Sequence, residues 1–141
     1  MSLVSTDWLY NNIDKVKIFD SSWHLPNENR NAFEEYRKGH IQGSIFFDID
    51  KYSDKKSDLP HMLPSKEEWE LFMSSLGVSN NDIIVIYDDS HLISSCRCWY
   101  TFLYFGHNQN SVFVLDGGLK KWKEENRETV KSITNISKSK Y

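Results

Sequence analysis

The feature that most constrains the fold is a run of β-branched residues at 83–86, with the sequence IIVI. A polar turn signal, SNND, precedes this run, and a polar segment that begins at Asp88 follows it. A short apolar run of this kind is typical of a strand buried on both faces, as in a parallel sheet. The apolar and aromatic segment at 98–105 then predicts a helix. A strand that ends in a polar loop and leads into a helix is where open α/β proteins place their chemistry.

The rest of the chain repeats this alternation of strands and helices. Further strands are predicted at 16–19, 44–47 and 111–115, and helices are predicted from residue 6 and at 33–38, 66–76 and 119–125. This order predicts an α/β fold built from right-handed βαβ units around a mainly parallel sheet. The polar segment at 48–64 is a long loop, and loops of that length are more often functional than idle. Residues 127–141 are polar and predict an interdomain linker or tail, which leaves 4–126 as the domain.

Composition excludes several classes of function. The chain has 141 residues, 39% hydrophobic and 26% charged, which is typical of one globular domain. A net charge of −3 argues against a nucleic-acid partner. We expect no membrane partner, because no run of about 18 apolar residues is present. Without a secretory signal, and with its two cysteines too close together for a stabilising disulfide, the chain is expected in the cytoplasm. No motif for a nucleotide, flavin or metal is present, so no cofactor is expected.

Several spaced motifs resemble the rhodanese-homology domain of sulfurtransferases. The segments RKGHIQGSIFFDID and LDGGLKKW are similar to two signatures of that family, with Gln42 in place of a proline. The segments WHLP, FFDID, HMLPS, LGVSNND and RCWYTFLYFGH more narrowly resemble the N-terminal half of two-domain thiosulfate and 3-mercaptopyruvate sulfurtransferases. The resemblance covers roughly residues 4–126 with the motifs in the family's order. It implies a rhodanese-like, three-layer αβα fold.

The resemblance also implies which loop would carry the chemistry. In a catalytic rhodanese domain the residue after the central strand is a cysteine that becomes a persulfide. Here that position is Asp88, followed by Asp89, Ser90 and His91, with Arg97 further on. A carboxylate cannot accept sulfane sulfur, and inert N-terminal halves of the family commonly carry Asp at this position. We therefore expect a domain that is inactive alone and whose partner is a catalytic C-terminal rhodanese domain, in the same chain or a separate one. The substrate implied is a small-molecule sulfur donor.

Cys96 is the alternative nucleophile. A helix N-terminus and Arg97 beside it would favour a reactive thiolate. The simpler interpretation, which we favour, is that Cys98 fills the core and Cys96 is a small, partly exposed residue. A Cys-x-Cys metal site would need more ligands than His91 offers, so no metal is expected.

Asp50 and His61 form a second candidate group, on the long loop. An Asp–His pair is an arrangement that orients an imidazole to take a proton. In the mercaptopyruvate branch of the family, an Asp and a His of the first domain are proposed to join a Ser of the second, and FFDID and HMLP supply Asp50 and His61 here. A structural hydrogen bond that pins the loop explains the pair equally well.

Three functions therefore stay open at this point. They are the inert half of a two-domain sulfurtransferase, a free-standing sulfurtransferase that uses Cys96, and a binding or regulatory module without chemistry. The motif HMLP favours 3-mercaptopyruvate slightly over thiosulfate as the donor.

Overall fold

The architecture was analysed in a computed structural model, which describes residues 2–90 and 93–141. The helices are α1 Thr6–Asn12, α2 Ala32–Lys38, α3 Lys66–Ser75, α4 Ser94–Tyr104 and α5 Gly118–Glu124. The strands are β1 Leu3–Val4, β2 Lys17–Asp20, β3 Ser44–Phe46, β4 Ile84–Tyr87 and β5 Val112–Leu115. Single 3₁₀ turns occur at Pro26–Glu28 and Gln109–Ser111. The predicted α/β class is confirmed.

The strands form a parallel sheet in the order β1-β5-β4-β2-β3, with β4 in the middle. The side chains of β4 point alternately to the two faces of the sheet. Ile84 and Ile86 join a cluster with α3 and α4, whereas Val85 and Tyr87 join a second cluster with α1 and α5. The sheet is thus the middle layer of three, as the rhodanese-like resemblance implied. Because all strands are parallel, the loops after β2, β4 and β5 leave the sheet at the same edge.

The observed elements differ in detail from the predicted ones. Tyr87 belongs to the central strand, because its hydroxyl lies inside the protein 3.0 Å from Ser44 Oγ and its ring is fully buried. The short strand β1 was missed, since it has only two residues. Helix α4 begins at Ser94 and not at residue 98, which places Cys96 in its first turn rather than at the end of the loop.

The segment after residue 126 is extended and lies along the domain. His40 and Val130 exchange backbone hydrogen bonds of 2.9 and 2.8 Å in an isolated antiparallel bridge. At the end of the chain, the Tyr141 ring packs against the cluster that includes Trp69, and the Tyr141 hydroxyl lies 3.0 Å from His107 Nδ1. Among the described residues, no helix is long and apolar enough to cross a membrane.

Candidate functional site

The loop after β4 is closed by Asp88, whose carboxylate turns back onto α4. Asp88 Oδ2 accepts a hydrogen bond of 2.8 Å from the Ser95 backbone N–H and lies 3.3 Å from the Ser94 hydroxyl. Ile93, the residue that precedes the helix, has no side chain able to cap it. Asp88 therefore supplies both an acceptor and a negative charge where the helix dipole favours an anion. The anion-binding end of α4 is occupied by the protein's own carboxylate.

The turn after β5 packs directly under this loop. The Leu119 N–H donates to the Asp88 carbonyl oxygen at 3.2 Å. Gly118 has a φ of +59°, and a Cβ at that position would lie 2.7 Å from the same oxygen. A glycine is needed at this place because any side chain would push the loop away from the turn.

Three carboxylates converge at the same edge of the sheet. Asp20, at the end of β2, is buried, and its Oδ1 accepts from the Ser22 N–H at 3.0 Å. Burial raises the pKa of Asp20 from 3.8 to about 6, against the lowering effect of the Ser22 hydrogen bonds, and the charges of Asp88 and Asp89 add to the rise. Burial and the two neighbouring carboxylates therefore disfavour the ionised form of Asp20.

A charged network that the sequence analysis missed ties α2 to this loop. Arg30 binds Glu35 through Nε and Nη2 at 2.9 and 2.8 Å, and Nη2 also donates to the Asp89 carbonyl oxygen at 3.1 Å. Glu35 is in turn 3.2 Å from His24 Nε2, and the Arg30 guanidinium lowers the pKa of Glu35. A cleft of about 280 Å³ lies beside this network, lined among others by Asp20 and Lys123. The sequence feature that could have revealed this network is the polar segment directly after β2. Because β2 pairs in parallel with β4, the segments that follow the two strands lie side by side.

Asp50 and His61 are brought into contact on the long loop. His61 Nε2 lies 2.6 Å from Asp50 Oδ1, and Trp23 packs edge-on against the imidazole with ring centroids 4.7 Å apart. His61 has a φ of +58°, a left-handed conformation that is uncommon for a residue other than glycine. The imidazole is thus oriented by a carboxylate and an aromatic ring.

The other candidates lie around the first turns of α4. Cys98 is fully buried in the core, where burial raises the pKa of its thiol well above the usual range. Cys96 is half-buried and, with Asp88, lines a pocket of about 230 Å³. The Arg97 guanidinium donates to the His61 backbone carbonyl, so this residue joins the Asp–His group. His91 lies outside the described residues, and Ser90 Oγ is 2.9 Å from Ser94 Oγ.

Comparison with known proteins identifies the family. The profile of the rhodanese-like domain matches residues 5–125, which is most of the chain. The chain therefore belongs to the rhodanese-like domain family.

The relatives are sulfurtransferases of greater length. The chain is 43% identical over 135 residues to thiosulfate/3-mercaptopyruvate sulfurtransferase 2 of Arabidopsis thaliana. This alignment covers 94% of this chain and 39% of the relative. It is 41% identical to the 3-mercaptopyruvate sulfurtransferase of Mus musculus, over 89% of this chain and 44% of the relative. The chain spans less than half the length of these two curated relatives.

Among solved structures, too, the chain matches part of longer proteins. The crystal structure of SseA from Escherichia coli, a 3-mercaptopyruvate sulfotransferase with the rhodanese fold, superposes with a TM-score of 0.86 and 33% identity, covering 99% of this chain and 56% of that one. The Tum1 protein of Saccharomyces cerevisiae also superposes with a TM-score of 0.86, at 31% identity. The alignment covers 100% of this chain and 49% of that one. The fold is thus that of one part of longer proteins of this family.

Proposed function

We propose that this chain is the non-catalytic N-terminal half of a two-domain sulfurtransferase, and that it works with a catalytic C-terminal rhodanese domain on 3-mercaptopyruvate or thiosulfate. The observation that carries the proposal is the position of Asp88. Its carboxylate holds the N-terminus of α4 through the Ser95 N–H, at the place where the resemblance puts the persulfide cysteine.

The chemistry of sulfur transfer argues against activity at this loop. A thiolate accepts sulfane sulfur by forming a sulfur–sulfur bond, and a carboxylate forms no comparable adduct. Thiosulfate and 3-mercaptopyruvate are both anions, and the carboxylates of Asp20, Asp88 and Asp89 meet at this edge. The loop is therefore suited to neither the covalent step nor the binding of the donor.

The contribution of this half would come from Asp50 and His61. When His61 Nε2–H donates to Asp50 Oδ1, the lone pair is on Nδ1, which can then accept a proton from a hydroxyl of the partner domain. Asp50 stabilises the imidazolium that results, because its carboxylate lies 2.6 Å away.

The first test is a sulfur-transfer assay on the chain itself, with each donor, on wild type and Cys96→Ala. We expect no turnover above background in either protein. Turnover that is lost in Cys96→Ala would contradict the proposal and establish a free-standing enzyme whose nucleophile is Cys96, the residue that shares a pocket with Asp88.

The second test asks whether this half supports a catalytic one. In a chimera, the chain replaces the N-terminal half of the E. coli relative, to which it is 33% identical. We expect turnover of 3-mercaptopyruvate, lowered roughly 10²–10⁴-fold by His61→Gln or Asp50→Asn. Asp54→Asn, on the same loop, is the matched control and should keep the rate. A folded chimera that is inactive, or whose rate does not depend on His61, would favour a binding module without chemistry.

A further inference from the structure

The backbone of His61 is the least supported part of the Asp–His group. The residue lies in the long loop between β3 and α3, outside any helix or strand. Its φ of +58° is unfavourable for a non-glycine residue, so contacts with the surrounding structure have to offset the strain. Because His61 lies outside the regular elements, contacts with other parts of the chain can hold this conformation.

Arg97 provides that support. Its Nη2 donates to the His61 carbonyl oxygen, 36 residues away in sequence. The contact differs in kind from the two made by the imidazole, since Asp50 and Trp23 touch the ring and Arg97 holds the main chain. The loop is closed next to the same carbonyl by the Asp54 N–H, which donates to the Met62 carbonyl oxygen at 2.8 Å.

The Arg97 side chain is itself held on a rigid element. It projects from the second turn of α4, whose following residue Cys98 is fully buried in the core. The Arg97 backbone carbonyl accepts from the Thr101 hydroxyl at 2.8 Å. The Arg97 guanidinium is partly buried against the loop, and this burial lowers its pKa. An anchored helix thus presents a partly desolvated donor to a strained loop residue.

We propose that Arg97 is a positioning residue, which fixes His61 in the backbone conformation that lets its imidazole meet Asp50 and Trp23. The inference rests on the proposed function for its catalytic meaning, because the Asp–His pair is useful only if a partner domain presents a hydroxyl. The structural claim can be tested in this chain without any partner.

The test is proton NMR of the His61 ring in Arg97→Met, which keeps an apolar stem and removes the donor. Trp23 packs against the imidazole at 4.7 Å, so its ring current displaces the His61 ring protons from their positions in the urea-unfolded chain. The signals are assigned with His61→Gln. We expect Arg97→Met to lose more than half of this displacement, and Arg97→Lys to recover part of it by restoring a charged donor.

The matched control is Arg37→Met, because Arg37 is an exposed residue of α2 paired with Glu34 at 3.4 Å. It should leave the His61 signals in place. A folded Arg97→Met protein whose His61 displacement is unchanged would overturn the inference. If that variant does not fold, Arg97→Gln, which is shorter and uncharged, is judged in the same way. An inactive chimera would count against the proposed function and leave this result intact.

Discussion

Among single residues, Asp20 links stability to pH. Its carboxyl group has a pKa of about 6 in the folded protein, against 3.8 for an exposed carboxyl. A group whose pKa is raised by folding contributes stability that is complete below the unfolded pKa and is lost as the pH rises through the folded one. The free energy of unfolding should therefore decrease between about pH 4 and pH 7 because Asp20 ionises. The decrease is up to about 3 kcal/mol for the full difference in pKa.

Asp20→Asn removes this dependence. The amide oxygen can still accept the Ser22 N–H, but the side chain stays neutral at every pH. Relative to wild type, the variant should gain stability by up to about 3 kcal/mol between pH 4 and pH 7. Urea denaturation at several pH values measures the difference, with the exposed Asp58→Asn as control. Parallel curves for wild type and Asp20→Asn would show that folding does not change the pKa of Asp20.

At the scale of elements, α4 depends on a cap that comes from outside its own sequence. The expected N-cap position is Ile93, and the acceptor is supplied by Asp88 across the loop. Substituting a capping acceptor by alanine typically costs about 1 kcal/mol. Asp88→Ala should therefore lower the free energy of unfolding by about 1 kcal/mol, whereas Asp88→Asn, which keeps an acceptor oxygen, should lose less.

The measurement is best made at pH 5. At that pH Asp20, with a pKa of about 6, is mostly protonated, so removing the Asp88 charge brings little relief of repulsion. Equal stabilities for wild type and Asp88→Ala would mean that the Ser95 N–H finds water or another acceptor without cost.

This remote cap also explains which elements could be predicted from sequence. The central strand follows from its β-branched run, and α3 follows from the capping box of Ser65 and Glu68, because those signals are local. The start of α4 was predicted too late. The polar residues Ser94 and Ser95 resemble loop residues in the sequence, and the acceptor that holds them in the helix, Asp88, lies outside the helical segment. The reach of Arg97 to His61 has no local signal at all, because it depends on how a loop folds over a helix.

At the scale of the whole molecule, the C-terminal residues are clamped onto the domain. The Tyr141 N–H donates to Ser74 Oγ at 3.0 Å, and the Ser139 N–H donates to the Ser74 carbonyl oxygen at 3.0 Å. His107 Nε2 faces the Asp82 carbonyl oxygen at 2.8 Å, so its Nε2–H donates there and its Nδ1 accepts from the Tyr141 hydroxyl. The end of the chain thus joins α3 to the turn before β4.

Tyr141 is expected to stabilise the fold in two separable ways. Its ring stacks on His107 at 5.9 Å and packs edge-on against Trp69 at 6.5 Å, and its hydroxyl bonds His107. Tyr141→Phe keeps the packing and should cost about 1 kcal/mol for the hydrogen bond, while Tyr141→Ala should cost about 2 kcal/mol or more. The exposed Tyr100→Ala should stay within about 0.5 kcal/mol of wild type. Thermal denaturation of the three variants measures these changes in stability. If Tyr141→Ala were as stable as Tyr100→Ala, the contacts of Tyr141 would contribute nothing measurable to the stability of the domain.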